Sequence, residues 1–348
     1  MQDAISGNAH PQNESAQAVR AYTRRFHNIY LFITERCQLR CGHCYMGERL
    51  ERGLTMSYER ASSIIRYCHR LGAEYMTFVG GEPTLYPELG RLIEEASATG
   101  YRKVMVDTNG LSVGPLSRIA PEKLYYVRVS IDGGSATTHE RVRGPNTFEK
   151  TLQGIRTLRE LGHQVRITCT LFRFNRHEIA QIMRLASELG VLVLNFHSFS
   201  EEGYGCGNRD WSMSPEEWVE TCGIIEDLKP GFALAVRYPP TWVKSKDLAK
   251  YVSRGYRGCL GCSLDRLSIF PDGRCYVCSM LFDTKLNFAH MADSGMQLNK
   301  EANEYELFTE ALLRAPEPAL SGCPAEAVLK NQQVDGFVSV CRLWRTEI

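Results

Sequence analysis

Cys37, Cys41 and Cys44 stand at C-x3-C-x2-C spacing in the stretch TERCQLRCGHCYM, residues 34–46. Three thiolates on one short loop make a metal site that lacks one ligand. A structural zinc ion closes its sphere with four ligands, usually as two pairs from separate chain segments. His43 is a poor fourth ligand, because it adjoins Cys44 and would have to fold back onto the same metal face. A catalytic zinc with water in its fourth position fits three ligands, and so does a 4Fe-4S cluster with one iron left for an exogenous group. Three sulfurs on one loop suit the cluster better. A second group, Cys259, Cys262, Cys275, Cys278, Cys323 and Cys341, lies towards the C-terminus.

Bulk properties narrow the setting. Lys and Arg number 41 against 40 Asp and Glu, a net charge of +1, so there is no basic excess to attract a phosphate backbone and nucleic acid is not an expected partner. Residues 1–27 are polar and lack the apolar core of a secretory signal. No later apolar run approaches the roughly 20 residues that span a bilayer. A cytoplasmic protein without membrane association is expected. In that compartment most of the 13 cysteines are reduced, so clustered ones read as metal ligands rather than disulfides. A chain of 348 residues is long enough for one large domain with an appendage, or for two domains.

The elements that must position these cysteines follow a repeating pattern. The runs IYLFIT, YMTFVG, KVMVDT, YYVRVSI, QVRITCTLF and VLVLNFHSF read as strands separated by amphipathic helices. Ile64, Ile65, Cys68 and Leu71 mark one helix face, and Ile179, Ile182, Leu185 and Leu189 another. Gly72, Gly100, Gly162 and Gly190 stand where left-handed helix caps belong. Six such units imply parallel strands with right-handed crossovers, doubly wound or curled into part of a barrel, with the ligand site beyond the strand C-termini. The cysteine loop, GGEP (80–83), DTNG (107–110) and SIDG (130–133) follow successive strands and converge on that edge. On the fourth strand Arg128, Ser130 and Asp132 share a polar face opposite Val127, Val129 and Ile131. Beyond residue 200 the repeat breaks. CSLDRLSIFPDGRCYVC reads as two short strands joined by Pro271-Asp272-Gly273.

The cysteine loop after a first strand, with His43 before the third cysteine and GGEP after the second strand, resembles the radical S-adenosylmethionine (SAM) superfamily over roughly residues 29–200. The resemblance implies that Cys37, Cys41 and Cys44 hold a 4Fe-4S cluster whose fourth iron is chelated by SAM, so that the missing ligand is the cofactor. Reductive cleavage of SAM would yield a 5′-deoxyadenosyl radical able to take hydrogen from an unactivated carbon. It further implies that Gly80, Gly81 and Glu82 receive the methionine end, and makes Asn109, Ser130, Asp132 and Arg143 candidates for other parts of SAM. Cys262, then Gly273, then Cys278 resembles the hairpin of SPASM and Twitch domains, which carry auxiliary clusters. A full SPASM domain continues with a denser cysteine run, whereas this chain offers Cys323 and Cys341. One auxiliary 4Fe-4S cluster on Cys262, Cys278, Cys323 and Cys341 is expected, with Cys259 able to displace one of them. Cys275 differs from Cys278 by three positions and points to the opposite strand face. Structural zinc on four of these six is the alternative. Cys68, Cys169 and Cys222 read as core residues.

The expected fold class is α/β: a partial (β/α)6 TIM-like barrel followed by a small cysteine-rich α+β domain of Twitch or SPASM type. The expected division is a polar segment 1–28, the barrel 29–200, a linker 201–256 and the auxiliary-cluster domain 257–348. The expected activity is that of a radical SAM oxidoreductase that dehydrogenates or epimerises a small polar metabolite. The alternatives are a maturase of a ribosomally made peptide and a non-catalytic zinc protein. A low-potential donor such as flavodoxin or ferredoxin is the expected redox partner. Cys206, in the glycine-rich EEGYGCGN after the sixth strand, is the candidate hydrogen-atom donor, with His197 and Glu201 as possible acid or base.

Overall fold

The structure is a computed structural model that describes residues 26–342 apart from 254–255, 257, 262–263, 283, 302, 314–322 and 326–334. Seven parallel strands form its first part: β1 Asn28–Thr34, β2 Tyr75–Gly80, β3 Lys103–Thr108, β4 Tyr126–Ser130, β5 Val165–Leu171, β6 Val193–Ser198 and β7 Ala235–Arg237. Helices α1 Tyr58–Arg70, α2 Leu89–Thr99, α3 Ala136–Arg143, α4 Phe148–Glu160, α5 Ile179–Glu188 and α6 Pro215–Leu228 lie between them. The six strands expected from the sequence are all present within a residue or two of their expected bounds. Their outer faces and the inner faces of the helices make one core, in which Ile65, Leu92, Ile155 and Met183 meet strand residues such as Leu31, Phe78 and Val127. Each fully buried aliphatic side chain contributes about 1.5–3 kcal/mol. The four interhelical glycines all have positive φ, as expected of caps. Ser57 caps α1, and Ser214 with Glu217 forms a reciprocal capping box on α6.

Two features extend the expected architecture. The segment 201–256, expected to be a linker, supplies α6, the seventh parallel strand β7 and strand β8 (Trp242–Lys244). The C-terminal hairpin β9 Arg266–Ile269 and β10 Arg274–Tyr276 also does not stand apart. Strand β9 pairs parallel with β1, Asn28 opposite Arg266 and Tyr30 opposite Ser268, so that β9, β10, β11 (Ala289–Ala292) and β12 (Gly295–Leu298) continue the same sheet. The physical reason is that β2 pairs with only one edge of β1, and the backbone donors and acceptors of the other edge are satisfied by a further strand. The Pro271-Asp272-Gly273 turn is formed as expected, with Gly273 at positive φ. Helix α7 (Glu304–Leu313) and β13 (Phe337–Ser339), which pairs antiparallel with β8, follow.

Helix α4 is held close to the loop that follows β3. A Cβ built on Gly154 would lie 2.0 Å from the carbonyl oxygen of Gly110, so helix and loop can touch only because the helix has no side chain there. Gly154→Ala should therefore push the 108–110 loop outward and destabilise the chain by about 1–3 kcal/mol. A denaturant midpoint equal to wild type would contradict this packing.

Candidate functional site

The cysteine loop leaves β1 at Thr34 and is closed from beneath by Glu35. This carboxylate is fully buried and accepts from the Leu54 backbone N–H (3.2 Å) and from the guanidinium groups of Arg49 and Arg52. Arg49, itself buried, stacks 4.1 Å over the Phe270 ring and reaches Asp272 in the hairpin turn. Loop and hairpin are thus joined through one ionic cluster. On the outer side Gly42 N–H donates to the Val142 carbonyl at the end of α3, and Asn208 Nδ2 donates to the Gly42 carbonyl (2.8 Å).

Glycines let the GGEP segment cross the cysteine loop. A Cβ on Gly81 would meet the Arg36 carbonyl at 2.5 Å, and one on Gly80 the Thr34 carbonyl at 2.4 Å. Glu82, expected to be an acceptor for SAM, lines the cavity and also joins two loops. Its buried carboxylate accepts from Thr84 N–H (3.1 Å), Thr84 Oγ1 (2.7 Å), Thr108 Oγ1 (2.6 Å) and Asn109 N–H (2.8 Å), tying the loops after β2 and β3 together. Asp132, by contrast, does not line the cavity. It is fully buried, takes Arg143 Nε at 2.6 Å and Thr170 N–H at 2.8 Å, and lies 3.5 Å from His43 Nε2. Just past the end of β4 its side chain turns into the wall, where it aims Arg143. Both are positioning residues, because carboxylates buried this deeply need their lone pairs filled by donors close at hand.

The loops surround a cavity of about 360 Å³. Cys37, Cys41 and Cys44 line it together with Gly80, Gly81, Glu82, Asn109, Ser130 and Arg143. The same cavity is lined by Cys259, Cys278, Cys323 and Cys341. Cys262 lies outside the described residues, and Cys259 stands with the three other expected auxiliary cysteines. Cys275 is buried in the main core, on the opposite face from Cys278 as its spacing implied. Cys68, Cys169 and Cys222 are core residues.

Cys206 does not reach the cavity. The segment Gly203–Trp211 coils into short helical turns that clasp the cysteine loop from outside, with Tyr204 N–H donating to the Cys44 carbonyl. That coiling leaves the Cys206 thiol exposed, donating to the Glu201 carbonyl (2.7 Å). The expected position of this thiol at the mouth is therefore corrected, and with it the donor role. His197 does line the cavity. The alternation of β4 holds: Arg128 and Ser130 face the cavity and Val127 and Val129 the core. Tyr30, Asp107, Thr168, Arg266 and Ser268 also face inward, and sequence reading passed over them. Their signal was the period-two polar position on strands with otherwise apolar neighbours.

Burial dominates the electrostatics. It holds the Cys37 thiol up at about 11 and Cys44 at about 12, and raises Cys41, against the pull of the Arg143 guanidinium on Cys37 and Cys41. Ions that bind these sulfurs must displace their protons. The three loop thiols border the cavity together. An all-sulfur donor set beside a cavity, glycines where backbones cross, and the buried Thr168 hydroxyl without a partner fit a cluster bearing an organic ligand. His43 is held down to about 4 because burial and Arg143 together outweigh Asp132. His139 is also held down to about 4, chiefly by burial, and its Nδ1 accepts the Asp132 backbone N–H (3.3 Å).

Residues 31–186 match the Radical SAM superfamily. The chain is 24% identical over 265 residues to the "Probable GTP 3',8-cyclase" of Saccharolobus islandicus, covering 74% of this chain and 84% of that protein. Its fold is similar to that of Streptococcus suis SuiB bound to S-adenosylmethionine (TM-score 0.66, 14% identity, 94% of this chain and 82% of that one). It is also similar to anSMEcpe with bound AdoMet and the Kp18Cys peptide (TM-score 0.65, 18% identity, 90% of this chain and 93% of that one).

Both neutral histidines must take up protons on unfolding once the pH falls below their ordinary value of 6.5. The unfolded chain then binds more protons than the folded one, so stability should fall as the pH drops from about 6.5 towards 4, by up to about 1.4 kcal/mol per pH unit for each histidine. Urea midpoints at pH 7, 6 and 5 measure this, and equal midpoints at pH 6 and 5 would contradict it.

Proposed function

We propose that this chain, a radical SAM enzyme, dehydrogenates a small polar substrate held in the cavity between two iron-sulfur clusters. The observation that carries this reading is that the two thiol sets, Cys37/Cys41/Cys44 and Cys259/Cys278/Cys323/Cys341, line one cavity. In this reading the first set holds the 4Fe-4S cluster that binds SAM, and the second holds an auxiliary 4Fe-4S cluster in a C-terminal domain of Twitch or SPASM type. Bound and reduced by one electron, SAM supplies a 5′-deoxyadenosyl radical that removes hydrogen from a substrate carbon.

The chain's own residues would do the rest. Gly80 and Gly81 bring backbone close to the methionine end, and Glu82 keeps that backbone fixed. Asn109, Ser130 and Arg143 border the remainder of SAM, with Asp132 holding Arg143 in place. Cys259, Cys278, Cys323 and Cys341 would hold the auxiliary cluster, which would supply an acceptor for the second electron, and His197 on the cavity wall would take the proton that the oxidised substrate loses. The product is then two mass units lighter. Oxidation is preferred to epimerisation because the exposed Cys206 thiol is not in the cavity to return a hydrogen atom.

Peptide modification is a second reading. It is favoured by the match in fold to anSMEcpe, whose structure contains a peptide.

Anaerobically reconstituted wild type should contain about eight irons, consistent with two 4Fe-4S clusters. Replacing Cys37, Cys41 and Cys44 together with Ala should remove about half of them and abolish 5′-deoxyadenosine formation. Cleavage that survives in this variant, or zinc in place of iron, defeats the reading. Cys278→Ala should lose the other half of the iron, keep uncoupled SAM cleavage and make no product. Product formed at the wild-type rate by that variant would remove the auxiliary cluster from the reaction.

A further inference from the structure

The cavity contains several charged groups, and all but one have an evident partner. Asp107 is paired with Arg128 (Nε to Oδ1 2.9 Å). Asp132 is paired with Arg143, Glu82 has its four donors, and His43 is held neutral. Arg342 donates through Nη1 to the Phe199 carbonyl (2.7 Å). Arg266 differs. It opens β9, lines the cavity, and has a buried Nε without a hydrogen-bond partner. Its guanidinium carbon stands 5.5 Å from the centre of the Tyr30 ring, and among the described residues no carboxylate lies within ion-pair distance of it.

A guanidinium left unpaired against a protein wall is unfavourable unless something completes it. The surroundings are suited to doing so. Ser268 shares the Arg266 face of β9, and Tyr30 lies directly opposite Ser268 on β1. Both line the cavity, so two hydroxyls and a cation from adjacent strands border the same part of it. Nε is closed off by the wall, which leaves the two Nη nitrogens as the edge that can pair bidentately with a planar carboxylate. A single uncompensated charge matches a monovalent group better than a phosphate dianion.

We propose that Arg266, assisted by Ser268 and Tyr30, binds a carboxylate of the substrate on the wall formed by β1 and β9. This deepens the dehydrogenase reading, on which it rests, by naming the substrate class as a carboxylic acid. It also assigns the strand that joins the two halves of the sheet a direct part in recognition.

The test is binding to reconstituted holoenzyme in the presence of SAM and without reductant, so that no turnover occurs. The probes are acetate, inorganic phosphate and methylammonium, followed by ligand-observed NMR. Wild type should bind acetate in preference to the other two. Arg266→Gln should weaken acetate at least about tenfold, the loss expected for a charge-assisted bidentate pair. Arg266→Lys, which keeps the charge without the fork, should lie between the two. Iron content and thermal midpoint establish that each variant is folded, and if Arg266→Gln does not fold, Arg266→Lys and Ser268→Ala decide. Failure of wild type to bind acetate, preference for phosphate or methylammonium, or equal acetate affinity in the folded variants overturns the assignment. Because binding needs no turnover, these outcomes are separate from failure of SAM cleavage, which bears on the dehydrogenase reading alone.

Discussion

Strand β1 is the constraint on which the other features depend. It is bonded in parallel on one edge to β2 and on the other to β9, and the cysteine loop grows from its C-terminal end. Parallel neighbours in register bring their C-terminal ends to one side of the sheet, so the loops after β1, β2, β3 and β4 share one mouth. Because β9 runs parallel to β1, it delivers Phe270 and the hairpin turn to the same side, where Arg49 stacks on Phe270 and pairs with both Glu35 and Asp272. One buried arginine thereby connects the first thiol loop to the hairpin that leads to Cys278. Removing only one partner of such an ionic group would leave a buried charge without compensation.

Within the mouth, rigidity comes from buried carboxylates. Glu82 binds the loops after β2 and β3, Asp132 binds α3 and β5, and Glu35 closes the cysteine loop on itself. Each is buried and hydrogen-bonded several times, an arrangement that fixes orientation at the expense of desolvation. Such a frame suits a site where reactive groups must be held apart from solvent and from each other. The segment Gly203–Trp211 adds an outer clasp: a Cβ on Gly203 would meet the Cys44 carbonyl at 2.4 Å. The thiol of Cys206 is incidental to that clasp.

Among the described residues no helix is long and apolar enough to cross a membrane, and the cavity is the feature in which the chemistry-bearing residues gather. Its wall is polar at inward positions of β3, β4, β5 and β9, with Phe32 of β1 and Val79 of β2 adding apolar surface, while outward positions of these strands enter the apolar core. That division is what makes an enclosed reaction space possible in a sheet whose other face is fully packed.

The family, the six-strand repeat and the first thiol loop were legible in the sequence because each depends on local spacing. Three cysteines within eight residues can meet only one another, alternate positions on a strand must face opposite ways, and a helix face repeats every three or four residues. What lay beyond local spacing was decided by tertiary structure. The pairing of β9 with β1 depends on an open sheet edge and on residues more than 230 positions apart, and nothing in either segment announces it. That Cys259, Cys278, Cys323 and Cys341 border one cavity depends on how separate segments fold over it. The place of Asp132 was misread because a carboxylate near a ligand loop looks the same in sequence whether it points at the ligand or into the wall. Cys206 was misplaced for the related reason that a glycine-rich loop does not specify its own path. Sequence determines which groups can do chemistry, and packing determines which of them face the same space, because direction is set by neighbours that are distant along the chain.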